Sequence, residues 1–61
     1  MKRKALIAEL TQAGCYLVSS RGPHDKYENP ANGKRAPIPR HNEIADTLCQ
    51  QIRSQLGLKE T

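Results

Sequence analysis

At 61 residues the chain has room for one domain, 1–61, and a chain of this size buries only about 60% of the surface it exposes when unfolded. Eleven Leu, Ile and Val with no Phe or Trp make a thin core, so patterning must specify the fold. Ten Lys and Arg against six Asp and Glu leave a net charge of +4, a balance that favours an anionic partner, with nucleic acid the usual candidate.

From Lys2 to Ala13 the apolar residues Leu6, Ile7, Leu10 and Ala13 recur at three- and four-residue steps, which predicts an amphipathic helix. Gly14 follows as its C′ residue, because glycine takes the left-handed conformation that ends a helix without a Cβ penalty. Cys15 to Val18 reads as a short strand, Ser19 to Pro23 as a turn, and His24 to Glu28 as the second arm of a hairpin. Asn29 to Gly33 is a dense cluster of turn formers. Lys34 to Pro39 is then extended, because Pro37 and Pro39 forbid helix; their missing N–H groups lie on one side, which makes it an edge strand. Asn42 is expected to cap a second helix with Glu43 and Asp46 in its first turn. Ile44, Leu48, Ile52 and Leu56 form its apolar stripe, Gly57 with Leu58 its Schellman ending, and Lys59 to Thr61 a frayed end.

The order α-β-β-β-α predicts an α+β fold: a three-stranded antiparallel sheet with both helices on one face and the other face open. If Tyr27 points inward, His24, Lys26 and Glu28 share the open face and Asp25 points away from it.

Cys15 and Cys49 are too few and too far apart for a disulfide framework and read as reduced thiols, Cys49 as a small buried hydrophobe. With His24 and His41 they supply zinc-ligand types, but no close pair that would nucleate a site, so neither metal nor cofactor is expected. No run approaches the roughly 18 apolar residues that span a bilayer, and the start turns amphipathic before a signal-peptide core develops. The expectation is a cytoplasmic protein without a membrane role.

The segments Gly14 to Val18, Arg21-Gly22-Pro23-His24-Asp25-Lys26-Tyr27, Ile38-Pro39-Arg40-His41, and Thr47-Leu48 through Leu58 together resemble the HicA family of toxin ribonucleases. That resemblance covers nearly the whole chain. It implies a double-stranded-RNA-binding-domain-like fold, a ribosome-independent endoribonuclease (mRNA interferase) acting on mRNA, and a hetero-oligomer with a HicB-like antitoxin that holds the toxin inactive. The family's Gly-Ser-His, whose histidine is catalytic, corresponds here to Gly22-Pro23-His24, so the serine hydroxyl and its N–H are replaced by proline. Pro39-Arg40-His41 is similar to the family's Pro-x-His before its second helix.

Metal-free RNA cleavage needs a group to take the 2′-hydroxyl proton, a group to protonate the leaving 5′-oxygen, and positive charge near the phosphorus. Histidine suits either proton role, with an ordinary pKa of about 6.5. His24 is therefore the catalytic candidate, and Lys26, two residues on, the first phosphate contact. Lys34, Arg35 and Arg40 flank the third strand as backbone-binding cations, and Lys2, Arg3 and Lys4 form a further basic cluster. His41 is either an RNA contact at the helix N-terminus or an auxiliary cap beside Asn42. Tyr16 and Tyr27 are the only aromatic rings, so with one of them in the core stacking is nearly absent and sequence selectivity is expected to be loose. Two non-catalytic readings stand beside this one: a module that holds RNA without cutting it, and an interaction protein whose basic surface serves an acidic partner.

Overall fold

The computed structural model describes residues 1–58; the expected fraying of Lys59 to Thr61 lies outside them. Helix α1 (Arg3–Gln12), strands β1 (Tyr16–Ser19), β2 (His24–Asn29) and β3 (Lys34–Pro39), and helix α2 (Asp46–Gln55) follow in that order. The sheet is antiparallel with order β1-β2-β3, so the proline-bearing β3 is an edge strand as expected. Among the described residues no helix is long and apolar enough to cross a membrane.

Leu6 and Leu10 of α1, Ile44, Cys49, Ile52 and Leu56 at α2, and Ala36 and Ile38 of β3 form one buried cluster with Cys15, and Ile7, Tyr27, Leu48 and Leu58 pack against it. Both helices therefore share the face onto which Ala36, Ile38 and Tyr27 project. Ala13, placed in the first stripe by its spacing, is the exposed C-cap residue instead.

The helix ends follow from glycine. In α1 the Gly14 N–H donates to the Thr11 carbonyl and the Cys15 N–H to the Leu10 carbonyl; in α2 Gly57 and Leu58 donate to Ser54 and Arg53 in the same pattern. These are two Schellman endings, with Gly14 at φ 96° and Gly57 at φ 72°. Because Cys15 is used in the ending of α1, β1 starts at Tyr16, one residue later than its composition suggests. Asn29 and Asn32, from the turn between β2 and β3, both donate from Nδ2 to the Leu56 carbonyl, at 2.8 and 3.1 Å. A local turn thus also closes the far end of α2.

The start of α2 differs from expectation. Asn42 does not cap it: the helix begins at Asp46, with Ala45 at the N-cap and no side-chain cap bond, and Glu43 lies outside the first turn. Residues 42–44 are instead paired with the chain start. The Arg3 N–H donates to the Asn42 carbonyl and the Ile44 N–H to the Met1 carbonyl, both at 2.8 Å, around a Lys2–Glu43 bridge. Backbone groups that a longer helix would have satisfied find partners 39 to 43 residues away in sequence.

Candidate nucleic-acid interface

His24 is the first residue of β2 and follows a turn in which Gly22 adopts φ 74°, a conformation costly for any residue with a Cβ. Regular pairing with Pro39 fixes the His24 backbone on a strand rather than a loop. Its imidazole is exposed, and no described residue hydrogen-bonds to it. Alternation carries Lys26 to the same open face, opposite Pro37, and Lys26 is likewise exposed with no ion-pair partner among the described residues. An accessible imidazole and a free ammonium therefore lie two residues apart on one rigid element.

Farther along that face, Tyr16, Glu28 and Arg35 pair directly across the three strands. The Tyr16 hydroxyl donates to Glu28 Oε2 at 2.8 Å and Arg35 Nε donates to Oε1. The Arg35 hydrogen bond holds the Glu28 carboxyl below its usual range, and the bond to Glu28 pushes the Tyr16 phenol up. Arg35 is thus a paired cation whose own side chain stays 59% exposed on the open face.

At the His24 end, the neighbouring residue Asp25 points to the helix side and anchors two arginines. Arg3 of α1 donates from Nε to the Pro39 carbonyl at 2.8 Å and from its Nη to Asp25 Oδ2. The Arg40 guanidinium lies 3.0 Å from Asp25 Oδ1 and also donates to the Ser20 carbonyl, which ties the turn before His24 to the strand after it. Two guanidiniums against one carboxylate leave a net positive charge on the helix side of the start of β2. Arg3 and Arg40 were visible as sequence cations, but Asp25 as their shared anchor was not. The available signal was an acidic residue directed toward the covered face of a sheet, where a carboxylate must find a cation.

Of the residues singled out from sequence, the structure holds His24, Lys26 and Arg35 on the open face, whereas Arg40 is tied to Asp25 on the helix side and to the Ser20 carbonyl. Lys34 pairs with Asn29 at the opposite end of the β2–β3 ladder, about 17 Å from the His24 row at roughly 3.4 Å per residue. His41 is exposed between β3 and α2, five residues before the helix begins. Its expected place at the helix N-terminus is therefore corrected, and neither a dipole nor a capping argument attaches to it. Cys15 and Cys49 are free and buried, with burial pushing the Cys15 thiol up. Among the described residues no group of three or more His, Cys, Asp or Glu is placed to hold a metal.

Residues 3–58 match a family model described as the HicA toxin of bacterial toxin-antitoxin. No curated protein and no solved structure matches the chain.

Proposed function

The chain belongs to the HicA toxin family, which makes it the toxin of a bacterial toxin–antitoxin pair, and from that premise we propose that it is an endoribonuclease that cleaves mRNA in the cytoplasm through His24. The observation that carries this reading is the placement of His24: an exposed imidazole with no partner among the described residues, held at the start of β2 on the same face as Lys26. In cleavage the 2′-oxygen attacks the adjacent phosphorus and gives up its proton. The P–O5′ bond breaks, and its electron pair leaves on the 5′-oxygen, which takes up a proton. His24 is the proton-transfer group, while Lys26, on the same face, offsets the charge that builds on the phosphoryl oxygens. Arg35 holds a more distant phosphate, Lys34 stands opposite the helix-facing Asn29 and lies off this track, and His41 contributes a peripheral contact.

A HicB-like antitoxin inhibits by lying over the open sheet face and covering His24, because occluding so shallow a site requires no rearrangement of a thin core. The basic residues around that face speed its docking.

The test is purified chain, free of antitoxin, mixed with a defined single-stranded RNA in EDTA and resolved on a sequencing gel. Discrete cleavage products are expected. RNA that is bound but left intact would instead support a non-catalytic RNA-binding module, a reading that Pro23 in place of the family's serine favours.

A further inference from the structure

Tyr27 packs against the core, so Tyr16 is the exposed tyrosine, with 47% of its surface accessible. It stands on the open face, because it pairs with Glu28, and Glu28 and Arg35 alternate with the inward-facing Tyr27 and Ala36. A half-exposed aromatic ring does little for a fold, and here it is also held in place. Its hydroxyl is bonded to a carboxylate that is itself fixed by Arg35, so the ring presents one orientation instead of sampling several. Cations flank it on the same face: Arg35 in its own row and Lys26 in the next.

We propose that Tyr16 is a base-stacking subsite for a nucleobase of single-stranded RNA lying along the open face of the sheet. A flat ring set among cations is the arrangement by which proteins bind single strands, the bases stacking while the cations follow the phosphates. A duplex keeps its bases stacked on one another and has none to offer. The Tyr16–Glu28 row lies four residues along β2 from His24, about 13 Å at roughly 3.3 Å per residue. The stacked base therefore belongs to a nucleotide near the cleaved phosphate but not at it. Tyr16 sets affinity and the register in which the strand meets His24, with larger purines favoured over pyrimidines at its position. The inference rests on the ribonuclease reading for its substrate, but its chemistry is separate from proton transfer.

The experiment measures fluorescence anisotropy of the full chain with a labelled 2′-O-methyl oligonucleotide of about ten residues, which lacks the 2′-hydroxyl nucleophile and cannot be consumed. Matched strands carry one abasic position, moved along the sequence. Tyr16→Ala is expected to weaken binding by about 5- to 100-fold, while Tyr16→Phe, which keeps the ring, stays within about two-fold of wild type. Tyr16→Leu keeps apolar bulk on the strand and should bind as weakly as Tyr16→Ala, which separates loss of stacking from loss of fold. At one abasic position the Tyr16→Ala penalty should vanish, because the base it stacked on is gone. Wild-type affinity in Tyr16→Ala or Tyr16→Leu, equal losses in Phe and Ala, or a penalty unchanged at every abasic position would overturn the proposal. A protein that binds this way but fails to cut ordinary RNA would contradict the ribonuclease reading alone.

Discussion

The two faces of the sheet are built from alternate residues of the same strands, yet they obey different rules. Toward the helices β2 directs Asp25, Tyr27 and Asn29, each buried or half-buried and each packed, hydrogen-bonded or ion-paired. Away from them it directs His24 and Lys26, which are exposed and have no side-chain partners among the described residues, and Glu28, which anchors a ring and a guanidinium. One residue step therefore separates what holds the fold from what is free to meet a ligand. In a chain this short, that alternation lets function occupy a whole face without removing anything from the core.

The comparison can be broken most sharply from the covered side. Ile52 is 1% exposed at the centre of the single cluster, so Ile52→Ala should cost about 2 to 5 kcal/mol in urea unfolding, a large share of what a small domain has. A cost below about 1 kcal/mol would mean that the helices are not packed on the sheet as described. Asn29 sharpens the contrast. Its Nδ2 donates to the Leu56 carbonyl and its Oδ1 accepts from the Ala31 N–H, so Asn29→Ala orphans the Ala31 N–H and leaves the Leu56 carbonyl with Asn32 as its remaining side-chain donor. The expected loss is about 1 to 3 kcal/mol, read from the thermal midpoint.

The smallest effect concerns a bridge between the helices. Arg53 donates to both oxygens of Glu9, at 2.6 and 2.9 Å, and this hydrogen bonding holds the Glu9 carboxyl below its usual range although burial opposes the shift. Because the folded value lies below the ordinary one near 4.5, the contribution is fully present above that pH and is lost as pH falls through the folded value. Glu9 is 40% exposed and screened by water, so the loss should stay below about 1 kcal/mol. Unfolding curves between neutral and acid pH should show a smaller acid-side decline in Glu9→Gln than in wild type.

Much of this was legible in the sequence where local chemistry decides. Both glycine-terminated helix ends occur where Gly14 and Gly57 put them, and β3 has the bounds Lys34 to Pro39 set by the turn before it and the prolines within it. What the sequence did not reveal was long-range. Asn42 looks like a cap only until Met1 to Arg3 pair with the same segment, and displacing the helix start removes the reason for placing an anion near His41. Asp25 alternates away from His24 as expected, yet from the covered side it holds Arg3 and Arg40. Asn29 and Asn32 read as turn residues, and nothing local to them indicates that they also bind the last turn of α2. Each is a contact between residues 15 to 43 apart, beyond any pattern of period two or four.

The claim that the open face carries the chemistry is tested most directly by the RNA cleavage rate of His24→Ala, measured beside its unfolding free energy and its RNA affinity. Truncating His24 removes no core volume and leaves no partner unsatisfied among the described residues, so stability should change by less than about 1 kcal/mol. Cleavage should fall by about 10²- to 10⁴-fold, with binding retained through the lysines and arginines. His24→Gln should be equally inactive, since an amide cannot exchange a proton near neutral pH. His24 variants that remain folded and cut RNA at the wild-type rate would contradict the account.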